Sequence, residues 1–185
     1  MIRIITILFL FISTAGHTQS REEEVLEIMN AVRTNPQDFI KTYLTPYLKE
    51  NNLTNNRYAK SLLSDLKKTN KMEPLKMSVA LSEVSKMHAL DMGGLGEVGH
   101  SSSDGTSFAE RVRSKAKAGG MIAENCDYGH ESALDIVMAL LIDDGIESLG
   151  HRKNILEPKY QWVGIAIEDH KTYGVNTVMD FAEHF

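Results

Sequence analysis

Cys126 is the only cysteine among 185 residues. No intrachain disulfide can form, and a zinc site built on several thiolates is excluded, so any metal is expected on His, Asp or Glu. The restriction matters because the N-terminus reads as an export address, and exported domains commonly use disulfides. Met1-Ile2-Arg3 is a short positive start, and Ile4 to Ile12 is an apolar run broken only by Thr6. Roughly nine residues cannot span a bilayer, which needs about 20. Ser13-Thr14-Ala15 and Thr18-Gln19-Ser20 supply small residues of the kind a signal peptidase reads. Residues 1–20 are therefore expected to be a secretory signal peptide, and residues 21–185 a single mature domain, secreted or periplasmic. No later apolar run is long enough for a transmembrane helix. Without disulfides the domain must be held by its core, which about 165 residues can supply.

The charge balance narrows the partners. Acidic residues outnumber Lys and Arg by 25 to 20, which disfavours gripping nucleic acid or anionic lipid through bulk charge. Along the mature chain the apolar spacing is helical first and strand-like last. Arg21 to Arg33 carries Val25, Leu26, Ile28, Met29 and Val32 behind Glu22-Glu23-Glu24, an acidic start that suits a helix N-terminus. Pro36 opens a second helix, and Tyr58 to Leu66 reads as another. A long helical pattern from Ser78 to Met92 has Val79, Leu81, Val84, Met87, Leu90 and Met92 as its apolar face and is expected to end at Gly93-Gly94. Phe108 to Ala118 and Ser132 to Ile142 are helical, and Met121 to Cys126 is compatible with a strand. Gln161 to Glu168 and Tyr173 to Ala182 read as two strands around an Asp169–Lys171 turn. That order predicts helices packed on a small antiparallel sheet.

Three patches gather reactive side chains: Gly99-His100-Ser101, Ala123-Glu124-Asn125, and Gly150-His151 through Leu156. No His-x-x-x-His spacing occurs, so His100 and His151 can converge only through the fold. Ser101, Ser102 and Ser103 lack the Gly-x-Ser-x-Gly elbow of a nucleophile and read as a turn. His88 reads as a packed mid-helix histidine, and Cys126 as a buried thiol acting as a small apolar group.

Six stretches, in order, resemble one family. They are Asn30-Ala31-Val32-Arg33 with Pro36; Pro74-Leu75-Lys76 with His88-Ala89-Leu90-Asp91-Met92; Gly99-His100-Ser101 through Asp104-Gly105 to Arg111; Ala123-Glu124-Asn125; Gly150-His151-Arg152-Lys153-Asn154-Ile155-Leu156; and Val163-Gly164-Ile165-Ala166. Together they resemble the CAP superfamily (cysteine-rich secretory proteins, antigen 5, pathogenesis-related 1) in its bacterial SCP-like extracellular branch, over residues 21–185. The resemblance implies an α+β fold: a three-layer α/β/α sandwich with a small central antiparallel sheet, and a cleft holding two histidines and two acids. His100, Glu124 and His151 match the first histidine, the first acid and the second histidine. For the second acid, Leu140 stands where the family has tryptophan and Asp143 falls at the acid's place, with Asp144 and Glu147 near enough to fill it.

Two functions follow from that resemblance. One is a ligand-binding module for a lipid, protein or polysaccharide. The other is a zinc-dependent hydrolase of the peptidase type, with His100 and His151 as Zn²⁺ ligands and Glu124 and Asp143 as catalytic carboxylates. Chemically, two neutral imidazoles can hold Zn²⁺ with room for water, carboxylates can fix their tautomers, and an acid can act as base.

Overall fold

The computed structural model describes residues 19–185, so the expected signal segment up to residue 18 lies outside the described residues. Helix α1 (Arg21–Thr34) starts with a reciprocal cap. Ser20 Oγ accepts from the Glu23 N–H at 3.2 Å, and the Glu23 carboxylate accepts from the Ser20 N–H at 3.0 Å. Ser20 and Glu23 thus satisfy two N–H groups at the start of the first helix. Ser20→Ala is accordingly expected to cost about 1 kcal/mol. A urea melt checks this; an unchanged midpoint would show that the cap contributes nothing.

Helix α2 (Pro36–Phe39) runs through a π-helical turn, Ile40–Leu44, into α3 (Thr45–Glu50). Helix α4 (Arg57–Leu66) is capped by Asn56. Then come strand β1 (Lys76–Met77), helix α5 (Val79–Leu95) and α6 (Phe108–Arg111), which continues as a π-helical turn, Val112–Ala116. Strand β2 (Gly119–Tyr128), helices α7 (Ala133–Ile142) and α8 (Gly150–Ile155), and strands β3 (Trp162–His170) and β4 (Gly174–His184) complete the chain. The sheet order is β1-β3-β4-β2. The three long strands are antiparallel, but β1 runs parallel to β3, so the sheet is mixed rather than purely antiparallel. Two residues give too little periodicity to read as a strand. The β3–β4 turn also falls later than expected, because His170 remains in β3 and its Nδ1 accepts from the N–H groups of Thr172 and Tyr173.

Strand alternation explains the layers. On one face, Val163, Ile165 and Ile167 of β3 and Val175, Met179 and Phe181 of β4 join Val25, Met29 and Val32 of α1 and Ile136, Val137 and Leu141 of α7 in the main core. The opposite face offers small residues, Gly164, Ala166, Val178 and Ala182, and α5 lies close against it.

That closeness corrects the expected face of α5. Val79, Met87 and Leu90 are exposed, whereas the sheet-facing stripe is Leu81, Val84, Ser85, His88, Ala89, Met92 and Gly93. Two polar residues are tolerated there because they find partners. Ser85 Oγ donates to Asp180 Oδ2 at 2.8 Å, and His88 Nε2 bonds the Gly99 carbonyl at 2.9 Å. The helix also runs past Gly93-Gly94 to a left-handed cap at Gly96, φ 79°.

Candidate functional site

Strand β2 is the sheet edge on which the site is built. Consecutive residues point to opposite faces, so Glu124, Cys126 and Tyr128 turn toward α5 while Asn125 and Asp127 turn toward α7 and α8. Accordingly, Cys126 and Tyr128 pack with Ala89 of α5, and the Asn125 side chain donates to the His151 carbonyl of α8 at 3.1 Å.

On the α5 side, His100 Nδ1 lies 2.8 Å from Glu124 Oε1. The other carboxylate oxygen accepts from Arg111, whose guanidinium also donates to the His100 carbonyl and to Ser102 Oγ. Glu124 and Arg111 are buried, whereas 57% of the His100 side chain is exposed. Burial alone would push the Glu124 carboxyl up. The His100 hydrogen bond and the Arg111 charge outweigh it and hold Glu124 below its ordinary value. The same hydrogen bond raises the His100 imidazole. Directly across on β4, burial and then the charge of Glu124 hold Asp180 well above the carboxylate range.

On the other side, Asp143 terminates α7 in the left-handed region, φ 59°, which turns its carboxylate back toward α8. Its Oδ1 lies 2.7 Å from His151 Nδ1. Its Oδ2 accepts from the N–H groups of His151 and Arg152 at 3.0 and 3.3 Å. Asp143 thus serves the first turn of α8, where Leu149 supplies no side-chain cap. The neighbouring acids are engaged elsewhere: Asp144 accepts from Asn56, and Glu147 pairs with Arg57 and the Tyr58 hydroxyl. Arg152 is buried and tied to Tyr58, Ser61 and Asp65 of α4 and to the carbonyls of Leu141 and Ile142.

The fold thus joins His100 to Glu124 and His151 to Asp143, as two pairs flanking one edge strand. Asn154 links them, donating to Asn125 Oδ1 at 2.8 Å and to the Glu124 carbonyl at 3.5 Å. Among the described residues, the group of three His, Cys, Asp or Glu side chains with donor atoms within 4.8 Å of one another is a different one, His88–Glu124–Cys126. It brings in a histidine and a thiol that the sequence reading treats as packing. The period-two spacing of Glu124 and Cys126 was the available signal, once that segment is taken as a strand.

A third His–carboxylate pair lies further along β2, with His130 Nδ1 2.9 Å from Asp127 Oδ1. That hydrogen bond raises His130 above its ordinary 6.5. Its stabilisation is complete below the unfolded pKa and fades as pH rises through the raised one. With 43% of the ring exposed the effect on stability is small. NMR titration is expected to show His130 titrating above 6.5 and Asp127→Asn lowering it; an unchanged midpoint in the variant would remove Asp127 as the cause.

A mixed sheet between two helical layers, with histidine–acid pairs at its edge, defines a class of α/β/α sandwiches. The chain belongs to the cysteine-rich secretory protein (CAP) family, whose model matches residues 18–181. Among solved structures it is similar to an outer surface protein from Borrelia burgdorferi, at 18% identity and a TM-score of 0.53, covering 69% of this chain and 90% of that one. It is also similar to an SCP-domain extracellular protein from Bacillus anthracis str. Ames, at 21% identity and a TM-score of 0.46, covering 60% of this chain and 34% of that one. No curated protein matches the sequence. No helix among the described residues is long and apolar enough to cross a membrane.

Proposed function

We propose that this chain is an exported binding protein whose cleft presents the imidazoles of His100 and His151 to a lipid, protein or glycan ligand. The supporting observation is that both acids are fully committed. Glu124 uses one oxygen on His100 and the other on Arg111; Asp143 uses one on the His151 ring and the other on two backbone N–H groups. A carboxylate whose two oxygens are both held orients its partner, and Glu124, held below its ordinary value, is a weak base. Hydrolysis would require one of them to take a proton from water.

With Nδ1 bound to a carboxylate, each ring offers Nε2 as its remaining group, able to hydrogen-bond a ligand or hold a divalent ion. The donor chemistry of these nitrogens fits Zn²⁺, which would supply Lewis acidity to a ligand oxygen.

The test uses protein exported from cells expressing the full chain. Extracted lipids, glycan arrays and protein pull-down are compared for wild type and for His100→Ala combined with His151→Ala. A retained ligand lost in the double variant is expected. Undiminished capture by that variant, or a wild type that retains nothing, overturns the reading. Peptide cleavage abolished by Glu124→Gln would establish hydrolysis in its place.

A further inference from the structure

β1 covers only the start of β3, pairing Lys76 with Trp162 and Met77 with Val163. The Val163 carbonyl accepts from the Ser78 N–H, and the Ile165 N–H donates to Ser82 Oγ of α5 at 3.2 Å. Strand alternation turns the main-chain groups of Ile167 to this same edge, away from β4. Among the described residues no strand continues β1 along it, so the Ile165 carbonyl and the N–H and C=O of Ile167 have no strand partner. Beside them lies a groove of about 250 Å³ between the start of α1 and the first half of α5. Its two walls differ in character. On the core side of the sheet are Met77 and Ile165, with Glu22 of α1. On the α5 side are Val79, which is 74% exposed, and the carboxylates of Glu83 and Glu168. Lys86 pairs with Glu168 at 3.2 Å and is the one cation facing these three acids.

We propose that the open edge of β3 receives an extended segment of a partner protein in which basic and apolar residues alternate. The segment adds a strand beside β3, bonding the free main-chain groups of Ile165 and Ile167. Its apolar side chains lie on Met77 and Ile165, and its basic ones point toward Glu83 and Glu168 on the opposite face. A second copy of this chain is the poorer occupant, because edge-to-edge pairing would set these carboxylates against their own kind. The edge lies across the sheet from β2, which carries the histidine–acid pairs, so the proposal does not depend on the binding reading above.

The probe is an eight-residue peptide alternating lysine and valine, capped at both ends and titrated into the isotopically labelled exported protein. The Ile167 amide signal is expected to shift and to gain protection from hydrogen exchange. Glu83→Lys is expected to weaken binding at least about threefold. Of two peptides N-methylated at every lysine or at every valine, one is expected to lose binding and the other to keep it, since only alternate N–H groups face β3. His100→Ala combined with His151→Ala is expected to leave the affinity unchanged. An Ile167 amide that does not move, or that is already protected before peptide is added, overturns the proposal. So does equal binding of a glutamate–valine peptide, undiminished binding by Glu83→Lys, equal behaviour of the two N-methylated peptides, or loss of binding in the histidine double variant. Glu83 is exposed, so its variant is expected to fold, and the N-methylated peptides test the wild type in any case.

Discussion

Replacing Gly164 with alanine is expected to leave little folded protein. A Cβ there would lie 2.1 Å from the carbonyl carbon of Leu81 and 2.3 Å from the Ser82 nitrogen. Both are helix backbone atoms, so no rotamer change relieves the overlap and α5 must lift from the sheet. Lifting it strips Leu81 and Val84 from their packing and parts Ser85 from Asp180 and His88 from the β2 cluster. The expected cost exceeds about 4 kcal/mol, the extreme of single substitutions and a large part of a typical stability of about 5–15 kcal/mol. Gly94 is the control. It sits in the same helix with nothing within 4 Å of a built Cβ, so Gly94→Ala should be neutral or stabilising by up to about 1 kcal/mol. Soluble yield and thermal melts compare the two; a Gly164→Ala protein melting within a few degrees of wild type would contradict the close-packed helix.

Arg33→Met is expected to cost about 4 kcal/mol and lower the melting temperature by roughly 10 °C. Arg33 is fully buried, yet no carboxylate pairs with it. It donates to four carbonyls, those of Glu73, Ile155, Glu157 and Tyr160, at 2.8–3.1 Å. Burial lowers its pKa to about 10, which keeps the guanidinium charged at neutral pH. Three otherwise irregular stretches meet at this one group: the approach to β1, the end of α8 and the approach to β3. Methionine fills the volume but strands the carbonyls, each worth about 1–3 kcal/mol before water relieves part of it. Arg33→Lys, with a single donor centre, should recover only part of the loss. Denaturant melts of the three proteins measure it, and equal stability of Arg33→Met and wild type would show that water replaces the guanidinium without cost.

Much of this architecture was readable from local signals. The apolar stripe of α1, the continuous run of α7 and the Val/Ile-rich strands β3 and β4 each carry their period plainly. The α5 face was misread because hydrophobicity ranks Met87 and Leu90 above Ser85 and His88, whereas Asp180 of the sheet and the Gly99 carbonyl of the following loop give the polar pair their partners. β1 is too short for any period. Site contacts were less accessible still. Glu124 and His100 are 24 residues apart and Asp143 and His151 are 8 apart, so no spacing rule joins either pair. The family motifs named these residues, but the part played by Arg111 emerged only from its place in the fold. So did the inclusion of Cys126 in a donor group.

The two histidines are fastened in different ways. His151 sits on a helix anchored through Asp143 and through the buried Arg152 to α4 and α7, so releasing it means disrupting the core. His100 rides a stretch without regular structure, pinned by the side chains of Arg111, Tyr128, His88 and Asp91. Of the two histidine–acid pairs, one is therefore fixed and the other latched. Amide hydrogen exchange should find the latched side opening well before global unfolding, at little cost to the sandwich.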